Sequence, residues 1–164
     1  MTIIQSESNC IKKDFECGND SLDNYIKMTA KRDVRRDLSA CYVLVNEQNV
    51  VKGYYTISAS SIKNENLPEQ FSRNLPPAYD AYPSILLGRL AIDKSVQKMG
   101  YGEILLLDAL KRCLEISTVL GCLAVSVDPI DENAVKFYSA YGFIMLPDVG
   151  RMILTIKTIK GLNS

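Results

Sequence analysis

The chain has 164 residues, of which 47% are hydrophobic and 23% charged, a composition typical of one globular domain with a substantial core. Nineteen basic residues balance nineteen acidic ones, and this net charge of zero argues against a whole-surface affinity for nucleic acid while allowing local basic patches. The lack of histidine excludes Ser-His-Asp and Cys-His catalysis. The odd number of cysteines, five without a C-x-x-C pair, indicates neither a disulfide framework nor a zinc site.

The N-terminal stretch MTIIQSESNC lacks the basic start and apolar centre of a signal peptide. No apolar run in the sequence approaches the roughly 18–20 residues that span a bilayer. Because the cysteines also show no pairing pattern, we expect a cytoplasmic protein without a membrane contact. The first strand is predicted at Thr2–Ser6.

A helix is predicted over residues 17–38, CGNDSLDNYIKMTAKRDVRRDL, with Asp20 or Ser21 as its N-cap. Five basic side chains concentrate in its segment KMTAKRDVRR, residues 27–36, against a single acid, Asp33. Helical spacing places them on two adjoining rows, which consist of Lys27, Lys31, Arg32, Arg35 and Arg36. A solvated helix face explains such a stripe, and so does a surface for a polyanion.

The next segments are rich in β-branched and aromatic residues. Residues 40–47 and 50–62 are predicted to form an antiparallel hairpin around the turn NEQN, and a proline-rich stretch with one helical turn at Glu69–Arg73 follows. SILLGRLAID is then predicted as a buried strand. It contains Arg89, and a buried arginine needs an anion or a carboxylate partner. Arg89 is therefore expected either to face a substrate or to pair with a core carboxylate.

The loop QKMGYG, residues 97–102, separates this strand from a helix predicted over residues 101–120. A Walker A loop requires Lys-Ser/Thr after its last glycine, where this chain has Glu103 and Ile104. A Rossmann fingerprint requires a third glycine, where this chain has Leu105. Two glycines at a helix start still let backbone N–H groups approach an anion. A plain turn fits the spacing equally well.

The C-terminal third is predicted as strand CLAVSVD, helix DENAVKFYSAYG and strands FIML and RMILTIKTI. Asp131 is expected to cap the helix and Gly142 to close it. Asp128 and Glu132 lie nearby, and capping is favoured over a role as a water-linked base. The resulting order, β-α-β-β-short helix-β-α-β-α-β-β, predicts an α/β (α+β) architecture.

The glycine loop and the later helix together form a recognisable motif. Gln97-x-x-Gly100-x-Gly102, followed by Asn133-x-x-x-Phe137-Tyr138-x-x-x-Gly142-Phe143, resembles the GNAT N-acetyltransferase superfamily. The resemblance implies a single GNAT domain over residues 1–164, with a mixed, mostly antiparallel sheet of six to seven strands flanked by about four helices. It also implies acetyl-CoA as the cofactor and no metal.

Further stretches resemble one subgroup, the GNAT toxins of bacterial toxin–antitoxin systems of the TacT and AtaT kind. These stretches are FECGNDSLDNYI, KGYYTISASSI, LLGRLAIDKSVQKMGYGEILLLDAL, DENAVKFYSAYGF and LPDVGRMILTI. The resemblance implies acetylation of the α-amino group of aminoacyl-tRNA, a ribbon-helix-helix antitoxin as partner and a homodimer. The alternatives are a GNAT that acetylates a small amine or a protein N-terminus, and a catalytically silent GNAT-fold binding module.

The resemblance also assigns roles to residues. Tyr138 is implied as the general acid for the CoA thiolate, the alternative being a tyrosine of the core. The residues implied to bind the cofactor are Leu90, Ala91, Ile92, Gln97, Lys98, Met99, Gly100, Tyr101, Gly102, Asn133 and Phe137. Those implied to bind tRNA are Lys27, Lys31, Arg32, Arg35, Arg36 and Arg89. Since a free α-amine titrates at about 7.7–8.0, such a substrate needs no strong base.

Overall fold

The computed structural model describes residues 1–147 and 149–162. Asp148, which belongs to the quoted stretch LPDVGRMILTI, and the C-terminal Asn163 and Ser164 lie outside the described residues. The contacts of the chain fall into two units. Unit 1 comprises Met1–Ser58 and Leu87–Ala109, and unit 2 comprises Ala59–Leu86 and Leu110–Ser164.

Unit 1 contains the N-terminal strands and the first helical region. β2 pairs antiparallel with β3, which confirms the predicted hairpin around NEQN, and β1 also pairs antiparallel with β2. The elements are β1 (Thr2–Gln5), α1 (Asp20–Asn24), a π-helical turn (Tyr25–Thr29), α2 (Ala30–Arg35), β2 (Ala40–Val45), a 3₁₀ turn (Lys94–Val96) and parts of β3 (Val51–Lys63), β4 (Ala81–Ile92) and α4 (Tyr101–Ser117).

The first helical region differs from the single helix that was predicted. Its N-cap is Asn19, not Asp20 or Ser21, since the Asn19 side chain accepts a hydrogen bond from the Leu22 N–H at 3.1 Å. The π-helical turn then separates α1 from α2. The buried Tyr25 lies in this turn and stacks on Tyr54, with 6.3 Å between ring centroids. A turn of this width depends on tertiary packing, which helical periodicity does not encode.

Gly53 marks the closest approach of β3 to its neighbours within unit 1. A Cβ at this position would lie 2.9 Å from Ile92 Cδ1, 3.0 Å from Leu105 Cδ1 and 3.2 Å from the Ala91 carbonyl oxygen. A Cβ would force the methyl ends of Ile92 and Leu105 and the Ala91 carbonyl to shift. Gly53 therefore fixes how β3 packs against the end of β4 and the start of α4.

Unit 2 contains the C-terminal strands and helices. β7 pairs antiparallel with both β5 and β6. Besides the remaining parts of β3, β4 and α4, the elements are a 3₁₀ turn (Asn64–Asn66), α3 (Glu69–Ser72), β5 (Ala124–Val127), α5 (Glu132–Ala140), β6 (Ile144–Met145), β7 (Met152–Thr155) and α6 (Ile156–Leu162).

The seven strands follow the order β1-β2-β3-β4-β5-β7-β6. Four of the pairings are antiparallel: β1–β2, β2–β3, β5–β7 and β6–β7. A mostly antiparallel, seven-stranded sheet with helices between its strands confirms the predicted fold class.

The C-terminal end contradicts the prediction of a long last strand over RMILTIKTI. β7 ends at Thr155, and α6 follows at once. The Thr155 hydroxyl accepts a hydrogen bond from the Thr158 N–H at 3.2 Å, which caps the new helix. Ile156 and Ile159, one turn apart, are both buried. β-branched residues predicted a strand here, but local capping and burial at helical spacing outweigh that propensity.

Two other boundaries also differ from prediction. β4 begins at Ala81, three residues before the predicted start. Pro83 lies in this extension and has no N–H to donate, but its carbonyl accepts a hydrogen bond from Leu123 N–H at 2.8 Å. α4 ends at Ser117 rather than at residue 120. There the Ser117 and Thr118 hydroxyls donate to carbonyls three residues back, at 2.6 and 2.7 Å.

Candidate active site

The glycine loop lies in unit 1, between β4 and α4. Lys98 and Gly100 both have positive φ, 63° and 87°. A Cβ at Gly100 would have no atom within 4 Å, so the space beside this residue is open and the backbone conformation alone favours glycine. α4 begins at Tyr101, and the N–H groups of its first turn have no partner within the helix. The loop thus presents backbone donors next to open space, a geometry that suits an anion.

The side chain of Gln97 forms hydrogen bonds within the protein. Its side-chain amide donates to two carbonyl oxygens, Cys17 O and Ile92 O, both at 2.8 Å. These bonds occupy both hydrogens of the amide nitrogen, so the side chain holds the loop against residues 16–19. Lys98 remains exposed, as does Met99, at 66%.

Asp93, which sequence analysis missed, forms a second connection between the glycine loop and residues 16–19. Its carboxylate accepts from Glu16 N–H at 2.9 Å, Ser95 N–H at 2.9 Å and the Ser95 hydroxyl at 2.6 Å. Burial by itself would raise the pKa of Asp93, but the hydrogen bonds from Ser95 and Glu16 outweigh it and hold this pKa below its usual value. Lys94 and Glu16 add an ion pair at 2.9 Å. The Asp-x-Ser sequence directly after a strand is the signal that could have revealed this turn.

The cofactor-binding strand segment predicted from the resemblance is the end of β4. Ala91 is buried, at 5% exposure, while Leu90 and Ile92 are half-buried. Beyond the strand, Asp93 N–H donates to the Lys52 carbonyl at 2.9 Å, which ties the loop's beginning to β3. Unit 1 thus brings the strand segment and the glycine loop together.

Arg89 also lies on β4 in unit 1, and its guanidinium carbon is 3.5 Å from the centroid of the Tyr25 ring. Within the part of the chain that the structure describes, Arg89 forms no ion pair, so the predicted alternative of a core carboxylate is wrong for the described residues. The Tyr25 hydroxyl instead bonds to Asp33 Oδ2 at 3.0 Å and lies 3.2 Å from Ser39 Oγ. The arginine is therefore a half-buried cation held on an aromatic ring.

The predicted basic stripe is on the surface. Its five side chains are all exposed, and no ion pair to any of them is formed by residues 1–147 and 149–162. The members are Lys27, Lys31, Arg32, Arg35 and Arg36. They do not form the two rows predicted for one continuous α-helix, because Lys27 lies in the π-helical turn and Arg36 follows the end of α2.

The remaining predicted residues lie in unit 2, on α5. The Asp131 side chain accepts from Ala134 N–H at 2.8 Å, which confirms it as the N-cap, and Gly142 has a φ of 94° at the closing turn. Asn133 is exposed and Phe137 half-buried. The start of α5 is therefore fixed by its N-cap and its end by the glycine that follows it.

Tyr138 is buried, with 7% of its surface exposed. Its ring packs edge-on against Phe137 and Phe143, at centroid distances of 5.2 and 5.3 Å. None of the described residues forms a hydrogen bond with its hydroxyl group, and burial raises the pKa of this hydroxyl. Tyr138 therefore stays protonated at neutral pH and keeps a proton to donate.

Asp128 is neither a helix cap nor a free base. Its carboxylate forms a two-point ion pair with Arg151, at 2.8 Å to Nε and 3.0 Å to the terminal nitrogen. Arg151, a residue that sequence analysis missed, also approaches Ser60 Oγ and the Ser61 carbonyl at 3.4 Å. The favoured interpretation of Asp128 as a cap is thus wrong, since its hydrogen-bonding capacity serves the arginine.

The described residues show no group of three Cys, Asp or Glu side chains that could hold a metal ion. The five cysteines are free thiols, and burial raises the pKa of both Cys41 and Cys113 to about 12. Among residues 1–147 and 149–162 no helix has both the length and the apolar character needed to cross a membrane.

Residues 10–143 match the Acetyltransferase (GNAT) family. A tRNA-acetylating toxin of Mycobacterium tuberculosis (strain ATCC 25618 / H37Rv) is 33% identical over 149 residues, covering 90% of this chain and 87% of that protein. The probable toxin TacT of Sinorhizobium fredii (strain NBRC 101917 / NGR234) is 35% identical over 157 residues, covering 90% of this chain and 86% of that protein.

Three solved structures extend the likeness to nearly the whole chain. A tyrosine-to-phenylalanine mutant of KacT has a TM-score of 0.92 at 32% identity, with 98% of both chains covered. AtaT complexed with acetyl-methionyl-tRNAfMet has a TM-score of 0.92 at 28% identity, with 99% of both chains covered. A mutant AtaT bound to the C-terminus of the antitoxin AtaR and to acetyl-CoA has a TM-score of 0.82 at 26% identity, with 99% and 98% covered.

Proposed function

This chain belongs to the Acetyltransferase (GNAT) family, and we propose that it is the toxin of a bacterial toxin–antitoxin system that acetylates the α-amino group of aminoacyl-tRNA and so blocks translation. Acetyl-CoA is the acetyl donor. The observation that carries the proposal is an identity of 33% and 35% with two proteins named as toxins, each over 90% of this chain.

The residues of unit 1 fit acetyl-CoA. The backbone N–H groups around Gly100 and at the start of α4 bind the pyrophosphate, because the positive φ of Gly100 and the open space beside it let an anion approach. The main chain of residues 90–92 holds the pantetheine arm and the acetyl carbonyl. Acetyl-CoA supplies the thioester whose acetyl group is transferred. Lys98, Met99 and Tyr101 belong to the same loop and contact the cofactor, and Gln97 keeps the loop in place through its hydrogen bonds to two carbonyl oxygens.

The residues of α5 in unit 2 contribute to binding and proton transfer. Asn133 and Phe137 bind the cofactor, and Tyr138 donates the proton that the departing thiolate needs. The support for Tyr138 is its buried ring and a hydroxyl that bonds to none of the described residues; burial raises the pKa of this hydroxyl, so it remains protonated at neutral pH. The nucleophile is an α-amine with a pKa of about 7.7–8.0 or lower, so a chain without histidine can use it in its neutral form.

The tRNA contacts consist of the exposed basic side chains of unit 1. Lys27, Lys31, Arg32, Arg35 and Arg36 form a local positive surface on a chain of zero net charge, and Arg89 adds a cation on the neighbouring β4. Phosphate contacts from Lys and Arg supply much of the affinity for nucleic acids, which supports a substrate role for these residues.

The proposed partners rest on the resemblance to the toxins rather than on membership of the family. A ribbon-helix-helix antitoxin neutralises the toxin, and a homodimer of this chain presents two copies of the basic surface to one tRNA. The protein acts in the cytoplasm, where charged tRNA is found. The antitoxin proposal is supported by the structural likeness to a mutant AtaT bound to the C-terminus of the antitoxin AtaR.

The test is acetyl transfer by the purified protein from radiolabelled acetyl-CoA to charged tRNA, deacylated tRNA, polyamines and N-terminal peptides. We expect label on charged tRNA, in a form released by mild alkaline cleavage of the aminoacyl ester. Label on polyamines or peptides alone would replace the tRNA assignment with a small-amine or protein N-terminal acetyltransferase. Calorimetry that detects no acetyl-CoA binding would leave a catalytically silent module.

A further inference from the structure

The contact between Arg89 and Tyr25 places a cation directly above an aromatic ring. The guanidinium carbon lies 3.5 Å from the ring centroid, well inside the roughly 6 Å within which such pairs attract. Arg89 is half-buried on β4, and Tyr25 is 5% exposed in the π-helical turn. The ring therefore restricts where the guanidinium group can lie.

Tyr25 is itself held firmly. Its hydroxyl bonds to Asp33 on α2 and lies within hydrogen-bond distance of Ser39, so both ends of the tyrosine are fixed. Its ring stacks on Tyr54 at an interplanar angle of 18°. The Tyr54 hydroxyl in turn donates to the Leu22 carbonyl at 2.7 Å. The π-helical turn is thus anchored on both sides, and π turns frequently occur at functional sites.

The charge of Arg89 is not neutralised by this arrangement. An aromatic ring attracts a cation but carries no net charge, and no carboxylate of the described ranges forms an ion pair with the guanidinium. The carboxylate bonded to Tyr25, that of Asp33, is engaged by the hydroxyl group. A half-buried, planar guanidinium without a carboxylate partner is suited to an oxyanion from outside the chain, such as a phosphate.

We propose, on the basis of the function proposed above, that Tyr25 is a positioning residue that holds the Arg89 guanidinium against a phosphate oxygen of the tRNA substrate. The location favours tRNA over the phosphates of CoA. The helical segment whose ring holds Arg89 also carries five exposed basic side chains without ion pairs among the described residues. Arg89 then extends that surface from the helix onto β4.

The test measures KM and kcat for charged tRNA and for acetyl-CoA separately, over a range of salt concentrations. Arg89→Gln is expected to raise the KM for tRNA by roughly ten-fold. It should also flatten the dependence of log kcat/KM on log salt concentration by about 0.7–0.9, the value for one lost phosphate contact. The KM for acetyl-CoA should be unchanged; a rise confined to acetyl-CoA would instead assign the phosphate to CoA and overturn the proposal.

The role of Tyr25 is isolated by a pair of variants and a double-mutant cycle. Tyr25→Leu removes the ring and should raise the tRNA KM in the same direction, whereas Tyr25→Phe keeps the ring and should retain most of the wild-type value. Because both changes disrupt one contact, Tyr25→Leu combined with Arg89→Gln should be no worse than Arg89→Gln alone. Fully multiplicative effects would show that Tyr25 does not act through Arg89.

Two further variants keep the test decisive. If Tyr25→Leu does not fold, Arg89→Lys replaces it: an ammonium keeps the charge but loses the planar stacking, and a wild-type tRNA KM would overturn the proposal. Lys160→Gln removes an exposed cation from α6 and should leave the tRNA KM unchanged. A wild-type protein that does not acetylate charged tRNA would contradict the proposed function itself, which is distinct from a failure of the Arg89 variants alone.

Discussion

At the scale of single residues, Tyr138 gives the sharpest prediction for catalysis. Tyr138→Phe removes the hydroxyl and keeps the buried ring that packs on Phe137 and Phe143. Since general acid catalysis contributes roughly 10²–10⁴-fold, we expect kcat to fall by about that factor. The Kd for acetyl-CoA and the thermal midpoint should change little. Tyr79→Phe, at a tyrosine that is 58% exposed, is the control; equal activity of the two variants would remove Tyr138 from its proposed role.

The raised pKa of Tyr138 also predicts the shape of the pH profile. Burial favours the neutral hydroxyl, so the general acid stays protonated above its ordinary value of 10.0. With increasing pH, kcat/KM should rise as the α-amine loses its proton, at about 7.7–8.0 or below, and then level off. The measurement is the initial rate on freshly charged tRNA from pH 6 to about 9.5. A decrease that begins below pH 9 would indicate a different acid.

Gly53 predicts an effect on stability. Gly53→Ala would place a Cβ 3.2 Å from the Ala91 carbonyl oxygen and 3.0 Å or less from two side-chain methyl groups. Such overpacking costs about 1–3 kcal/mol, to be measured as the change in free energy of unfolding in urea. Gly121→Ala is the matched control, since a Cβ there meets nothing within 4 Å. Equal stability of both variants would mean that β3 can move away from β4 without cost.

At the scale of elements, the parts of the fold that sequence predicted are those specified by local chemistry. α5 was predictable because Asp131 caps it and Gly142, with its positive φ, ends it. The β2–β3 hairpin was predictable because β-branched strands flank the turn NEQN. α6 was missed because Ile156 and Ile159 have strand propensity, and only burial against the rest of unit 2 reveals their helical spacing. The π-helical turn was missed for the same kind of reason, since tertiary packing creates it.

The candidate site shows the same division between local and long-range information. The glycine loop could be found from spacing, because positive φ at Gly100 calls for glycine. The contacts that hold this loop, from Asp93 to Glu16 and from Gln97 to Cys17, join residues 77 and 80 positions apart. No sequence pattern encodes such pairings. These hydrogen bonds hold the stretch FECGN against the glycine loop in the folded chain.

The connection between residues 16–19 and the glycine loop predicts the phenotype of Asp93→Asn. The variant weakens three hydrogen bonds that a charged carboxylate accepts, so we expect a loss of about 1–3 kcal/mol in the free energy of unfolding and a higher KM for acetyl-CoA. Because the pKa of Asp93 is lowered, its contribution is complete above the ordinary value of 3.8 and decreases as the pH falls below it.

The control for that prediction is Asp14→Asn, at an exposed aspartate of the same unit. The difference in stability between wild type and Asp93→Asn should become smaller in urea titrations at pH 3 than at pH 7, whereas Asp14→Asn should match wild type at pH 7. A KM for acetyl-CoA that stays at the wild-type value would show that the loop keeps its conformation without Asp93.

At the scale of the whole molecule, the distribution of charge matters more than its sum. A net charge of zero conceals five exposed basic side chains between residues 27 and 36, which composition alone could not reveal. Helical spacing predicted that these side chains gather, but the π-helical turn altered their alignment. The extent of the domain, residues 1–164, stays a prediction.

The last prediction tests this distribution with charge reversals. Lys31→Glu combined with Arg35→Glu should lower kcat/KM for charged tRNA and flatten its salt dependence by about 1.4–1.8, the value for two phosphate contacts, without changing the KM for acetyl-CoA. Growth arrest on expression in bacteria should weaken in parallel. Lys157→Glu combined with Lys160→Glu is the control: it changes the net charge from zero to the same value, since each substitution alters it by two, but acts on α6. Equal losses in both double variants would mean that net charge, and not the basic surface of unit 1, governs tRNA acetylation.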